Sequence, residues 1–377
     1  MVLDKKYFKQ FSCKGQIGLP VLFASLLFTA LVGCSHQQPT DLTTKQWQQQ
    51  LNLPSVQYAS QLNQHLDDFI QSDELEWFDE TRQRAVPALY YAPKATEAQP
   101  ALPLVVFSHG LGGSRDRYAY LGKYWASQGI ASLHVQHVGS DRQIWRGSRL
   151  TLPFRLMAAA GDDEALARVA DVKFALSTLL ESDRGRQIDA SQIVMAGHSY
   201  GANTSMLLVG AKVQRSEGLP ALHDPRFRAA LLISTPPFYD GQPLAEVLAE
   251  VTVPTLHITN TMDEIKVPGY HSAPSDRIDV YQAMGGPYKV LAVFHGGNHN
   301  IFSGRRQRPE LSVQAQVLQA ATQSLSGDFL KALFTQDKSL LQQWQKEHQP
   351  LLARFEQVDV TSTNVTLLQQ TTDFSAQ

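Results

Sequence analysis

At 377 residues the chain is long enough for one large domain with a substantial core, or for two ordinary ones. Its 33 basic and 35 acidic residues nearly cancel, which argues against a nucleic-acid partner, and 43% hydrophobic residues is an ordinary globular composition. The only cysteines are Cys13 and Cys34, so beyond residue 34 a cysteine nucleophile, a thiolate metal site and a disulfide are excluded.

The chain starts with a positive head, Lys5, Lys6, Lys9 and Lys14. An apolar stretch, Ile17 to Val32, follows and is short for a membrane-spanning helix. It ends Leu31-Val32-Gly33-Cys34, which resembles the lipobox of a bacterial lipoprotein signal peptide. That resemblance implies removal of residues 1–33, lipidation of Cys34 and a membrane partner reached through the anchor. The place it implies is the bacterial cell envelope, and Ser35 after the cysteine favours the outer membrane, facing the periplasm. Residues 34–72, rich in Gln, Thr, Asn and Ser, read as a polar tether with one weak helix near Tyr58 to Ile70.

Residues 73–357 read as the folded domain. Glu76 to Asp79 and Val86 to Tyr91 suggest an antiparallel opening pair, and Leu104 to Phe107 a buried strand. Ser108-His109-Gly110-Leu111-Gly112-Gly113 follows, then a helix over Tyr118 to Ala126 and a strand over Ile130 to Val135. The segment 139–161 interrupts the alternation. Its Trp145 and Phe154, with Pro237 and Phe238 from a later loop, are placed to wall a site.

Further on come a helix from Asp163 to about Leu180 and strands at Ile193 to Ala196, Ala229 to Ser234, Val253 to Thr259 and Lys289 to Phe294. A long helix from about Leu311 to Phe334, a second helical piece from about Lys338 to Phe355, and a polar tail, 358–377, complete the chain. Strands alternating with helices indicate an α/β fold: a mostly parallel central sheet with helices on both faces.

The strand at Ile193 runs into Gly197-His198-Ser199-Tyr200-Gly201. A serine on a sharp strand-to-helix turn lifts its hydroxyl clear of the sheet, and the flanking glycines avoid collision with neighbouring backbone. Such a nucleophile needs a base, and the base needs a group to hold its tautomer. His299 and Asp263 each lie just beyond one of the last two strands. His295 competes with the first; Glu264, Asp240, Asp276 and Asp279 compete with the second. The N–H groups of Leu111 and Tyr200 are the candidate oxyanion donors. His109 reads as a structural hydrogen-bonding residue. The glycines after it do not complete a dinucleotide fingerprint, and the Gly-Gly between His295 and His299 denies a zinc helix, so neither cofactor nor metal is expected.

Phe107 to Gly113, His134 to Asp141 and Gly197 to Gly201 resemble the α/β-hydrolase branch of platelet-activating-factor acetylhydrolases and dienelactone hydrolases, with bacterial polyester hydrolases as more distant relatives. The resemblance spans roughly Trp77 to Phe334. It implies the α/β-hydrolase fold and an esterase with Ser199 as nucleophile. Two departures matter. Plasma-type acetylhydrolases take their acid just after the strand following the elbow, where this chain reads Ile233-Ser234-Thr235, and dienelactone hydrolases proper use a cysteine nucleophile.

The expectation is a serine-dependent carboxylic ester hydrolase acting on a small-molecule or lipid ester. A lipase or phospholipase working on membrane acyl chains is the alternative within the same chemistry, and a catalytically silent hydrolase fold that binds partners is the alternative outside it.

Overall fold

The computed structural model describes residues 41–65, 69–94, 101–215, 222–238, 241–267, 270–304 and 311–360. Residues 1–40, and with them Cys34 and the leader, lie outside the described residues. The strands are β1 (Ile70–Asp79), β2 (Arg84–Pro93), β3 (Leu102–Ser108), β4 (Ala131–Val135), β5 (Ile188–His198), β6 (Phe227–Ile233), β7 (Thr255–Asn260), β8 (Ile265–Val267), β9 (Tyr270–Ser272), β10 (Tyr288–Phe294) and β11 (Leu352–Asp359). The helices are α1 (Thr44–Gln50), α2 (Pro54–His65), α3 (Ala119–Ser127), α4 (Leu152–Ala159), α5 (Asp162–Glu181), α6 (Tyr200–Leu208), α7 (Leu244–Leu248), α8 (Ser275–Ala283), α9 (Ser312–Thr335) and α10 (Ser339–Glu347).

Nine strands form one sheet in the order β1-β2-β4-β3-β5-β6-β7-β10-β11, and β8-β9 pair as a separate hairpin. The six strands from β4 to β10 run parallel; β1, β2 and β11 are antiparallel to their neighbours. Strand β3 is the switch point: the chain passes from it to β4 on one side and then crosses over from β4 to β5 on the other. Ligand-binding residues in such sheets gather beyond the carboxyl ends around that point.

Parallel strands are covered on both faces, and side chains alternate between them. Val105 and Phe107 face one core with Trp125, Leu318 and Trp344; Leu104 and Val106 face the other with Val172, Met206 and Val280. Helices α1, α2, α3, α9 and α10 cover the first face, and α5, α6, α7 and α8 the second. This is the α/β fold the alternating pattern predicted.

Several segments differ from expectation. The stretch read as a polar tether is helical from residue 44: Thr43 and Gln46 close a capping box on α1, and Trp47, Val56 and Ala59 are buried in the first core. Gln is a good helix former, and a few apolar residues on one face suffice to dock a short helix. The second helical piece ends at Glu347. Pro350 stops it, and Leu352–Asp359 turn back as an antiparallel edge strand on β10. The hairpin β8-β9 and helices α7 and α8 had no clear signal in the sequence.

The segment 139–161 holds two short 3-10 turns, Arg142–Trp145 and Arg149–Thr151, and α4. Among the described residues no helix is long and apolar enough to cross a membrane.

Candidate active site

Strand β5 ends at His198, and Ser199 sits on the turn into α6 with φ 54° and ψ −121°. A non-glycine residue in this region is strained and persists only where its surroundings impose it. Here they do. The Ser199 N–H donates to the Ile233 carbonyl at 2.9 Å, and the N–H groups of Ala202 and Asn203 donate back to the Ser199 carbonyl. A Cβ at Gly197 would meet the Gly201 carbonyl, and one at Gly201 the Ser108 carbonyl, so the tight turn requires glycine at both positions.

The loops after β7 and β10 supply the partners. His299 Nε2 is 2.7 Å from Ser199 Oγ, and His299 Nδ1 is 2.7 Å from Asp263 Oδ1. A carboxylate only accepts, so the Nδ1–H donates to Asp263 and Nε2 is left to accept the serine proton. Asp263 is fully buried. Thr259 Oγ1 donates to its Oδ2 at 2.7 Å, and Arg277, itself 2% exposed, donates to its Oδ1 at 3.3 Å. Burial pushes this carboxyl up, but the facing His299 and Arg277 outweigh it and hold it well below the usual carboxylate range.

Among the competitors for these places, Glu264 lies in an exposed cluster with Lys266 and His271, and Asp276 takes Ser272 and the Ala273 N–H. His295 is placed by its backbone, whose N–H donates to Leu351. Asp240 lies outside the described residues.

His198 is a site residue that sequence reasoning passed over. Its Nε2 lies 3.0 Å from the His299 carbonyl and its Nδ1 2.9 Å from the Tyr118 hydroxyl. The carbonyl accepts only, so Nε2–H donates and Nδ1 receives Tyr118 O–H. Burial first, and then the nearby His299, push His198 down to about 3, so it remains neutral and serves as a fixed post for the His299 loop. His198 could have been singled out from the Gly-His-Ser motif, but Tyr118 lies 80 positions away and carries no such signal.

The loop after β3 carries Leu111. It is tied down at several points: the Gly112 N–H donates to Ser140 at 2.8 Å, Gly113 N–H to Gly110 at 2.9 Å, and Trp145 Nε1 to the Gly112 carbonyl at 2.9 Å. His109 acts within the scaffold, receiving the His137 N–H at its Nε2 (3.1 Å) and facing the Gly110 carbonyl through Nδ1 (2.8 Å). Beneath lies Arg168, fully buried and pulled down to about 10 by that burial. It donates to Ser108 Oγ, the His109 carbonyl, Ser140 Oγ and Thr204 Oγ1, and its guanidinium lies 4.5 Å from the Tyr200 ring centroid. One cation thus touches both loops that carry Leu111 and Tyr200.

A cavity of about 360 Å³ opens over Ser199, lined by Leu111, Trp145, Leu156, Tyr200, Pro236 and His299 among others. Of the four residues expected to wall it, Trp145 does so. Phe154 does not: it is 72% exposed, because the helical period of α4 turns it outward while Leu156 and Ala160 face in. Pro236 lines the cavity in place of Pro237. Phe238 lines a second, smaller cavity of about 70 Å³ that shares Ala160, Tyr200 and Asn203 with the first.

The strand order, the parallel core and the strained serine between β5 and α6 together define an α/β-hydrolase fold. A family model described as platelet-activating factor acetylhydrolase, isoform II, matches residues 37–144, a span that includes the Leu111 loop and ends before Ser199. Among solved structures, the chain is similar to a cold-adapted esterase from an Arctic intertidal metagenomic library, bound to PEG, with 17% identity, 66% of this chain and 93% of that chain covered, and a TM-score of 0.44. It is also similar to a Klebsiella pneumoniae subsp. pneumoniae protein described as a dienelactone hydrolase, with 16% identity, coverage of 67% and 97%, and a TM-score of 0.47. No curated protein matches the chain.

Proposed function

We propose that this protein is a serine-dependent carboxylic ester hydrolase. Ser199 attacks the ester carbonyl while His299 Nε2 takes its proton, and Asp263 holds the imidazole and stabilises the imidazolium. The N–H groups of Leu111 and Tyr200 receive the oxyanion; Tyr200 opens α6, whose dipole favours negative charge there. His299 then returns the proton to the departing alkoxide, and water, activated by the same imidazole, releases the acyl group from Ser199. The observation that carries this reading is the unbroken series Ser199–His299–Asp263, with 2.7 Å at each step.

The substrate is a small-molecule or lipid ester. One observation favours longer acyl chains: the smaller cavity adjoins the first, sharing Ala160, Tyr200 and Asn203 with it, and is lined by Leu166, Leu207, Val213 and Phe238. The place of action we propose is the bacterial envelope. There Cys34 carries the lipid anchor, at the outer membrane and facing the periplasm, a reading that rests on the leader sequence alone.

Hydrolysis of p-nitrophenyl esters from acetyl to palmitoyl tests both parts. We expect turnover in the wild type and a loss of several orders of magnitude in Ser199→Ala. An optimum at acetyl or butyrate assigns a short-ester hydrolase, and one at octanoate or beyond a lipase. Turnover unchanged in Ser199→Ala would sink the proposal.

A further inference from the structure

The segment between β4 and α5 carries an outward face that this chemistry leaves unused. Leu150, Phe154 and Met157, four and three residues apart, share one side of the helical stretch and are 86%, 72% and 70% exposed. Large apolar side chains exposed together mark an interaction surface. The opposite side of the same stretch supplies Leu156 and Ala160 to the cavity, and Trp145, 44% exposed, stands at its border.

The charge of this segment is as lopsided as its polarity. Residues 142–161 contain four arginines and no Asp or Glu, in a chain whose formal charge is −2. Arg155 is used internally, donating to the Ile144 carbonyl at 2.9 Å and the Ser148 carbonyl at 3.2 Å. Arg142 lies 3.6 Å from Asp116, both exposed. Arg146 and Arg149 are exposed beside Leu150.

An apolar helix face fringed by guanidinium groups matches the boundary of an anionic bilayer, where acyl chains meet phosphates. The apolar residues project from one short helix. A fluid lipid surface accepts such a projection without a complementary groove, and arginine can bury its stem while its charge stays among the headgroups. We propose that residues 145–157 dock the protein on an anionic lipid bilayer. Leu150, Phe154 and Met157 enter the acyl boundary and Arg146 and Arg149 engage lipid phosphates, which brings the mouth of the Ser199 cavity to the lipid. This docking is independent of the hydrolytic reading and is tested by binding.

Amide hydrogen exchange of the full chain reads the segment locally, apart from anything the N-terminal residues do. With vesicles of phosphatidylcholine plus phosphatidylglycerol, exchange over 145–158 should slow on the order of tenfold, and much less with phosphatidylcholine alone. Arg146→Gln with Arg149→Gln should raise the anionic lipid needed for half-protection by on the order of tenfold. Leu150→Ser, Phe154→Ser and Met157→Ser together should abolish the protection while leaving the unfolding midpoint unchanged, since all three are exposed. Unchanged exchange over 145–158 with anionic vesicles overturns the proposal. So does equal protection by neutral vesicles, or protection that grows with protein concentration in their absence, the mark of a second copy.

Discussion

Ser199 occupies a backbone conformation that serine avoids, and the strain is held by the Ile233 carbonyl on one side and the first turn of α6 on the other. The acid is set just as firmly. Asp263 and Arg277 are buried together, and breaking such a pair from one side strands a charge. Asp263→Asn is therefore expected to do two separable things. It should lower kcat on the order of ten-thousandfold with little change in KM, because the imidazole loses its tautomer, and it should lower stability by roughly 3 kcal/mol, because Arg277 stays buried without its carboxylate. Ester kinetics and urea denaturation measure the two, and a kcat within tenfold of wild type would remove Asp263 from the role proposed for it. Ser199, His299 and Asp263 could be picked out in the sequence because each stands just past a strand with a recognisable turn around it. Arg277, Tyr118 and Arg168 could not. The partners of Tyr118 and Arg168 lie far away along the chain, Arg277 meets Asp263 only across the β8-β9 hairpin, and a lone Arg or Tyr on a helix looks like any surface residue until the fold buries it.

At the scale of elements, the apolar strands and the long helices were legible because burial on both faces leaves unbroken runs of Val, Ile and Leu. Elements built from mixed residues were not. Helix α1 was hidden by its glutamines, and α2 was legible only as a weak helix set a few residues too far along the chain, although Trp47 is only 6% exposed and packs in the same core as α9. Trp47→Ala is expected to destabilise the protein by about 3 kcal/mol, as for other large buried aromatics, and thermal or urea unfolding measures it. A change within about 0.5 kcal/mol would mean that this stretch is a tether after all. Strand β11 was illegible for a related reason: it is an edge strand, half-buried at each position from Arg354 to Asp359, and Arg354, Glu356 and Gln357 interrupt its apolar pattern. In α4 the segment was legible and the face was not, since only the helical phase distinguishes Phe154 from Leu156.

The whole molecule carries an acid liability. His134, His137, His198 and His257 are fully enclosed, and burial, aided by Arg168 at His137 and by His299 at His198, pushes each down to about 3 from its ordinary 6.5. Below 6.5 the unfolded chain binds protons that the folded chain refuses. Stability therefore falls as the pH drops from 6.5 towards 3 and is level, for these groups, above 6.5. Each histidine adds up to about 1.4 kcal/mol per pH unit to that slope. Urea midpoints between pH 7.5 and 4.5 should stay flat in the upper part of the range and drop steeply in the lower; a flat profile throughout would mean that these rings are not held neutral.

The same sheet that encloses these histidines brings the ends of β3, β5, β7 and β10 to one edge, where Ser199 stands. The most direct measurement is labelling of the full chain with a fluorophosphonate, read by intact mass and peptide mapping, beside the Ser199→Ala variant. One adduct per chain is expected on Ser199, lost in the variant along with ester hydrolysis. An adduct on another residue, or hydrolysis that persists in Ser199→Ala without labelling, would contradict the role proposed for Ser199.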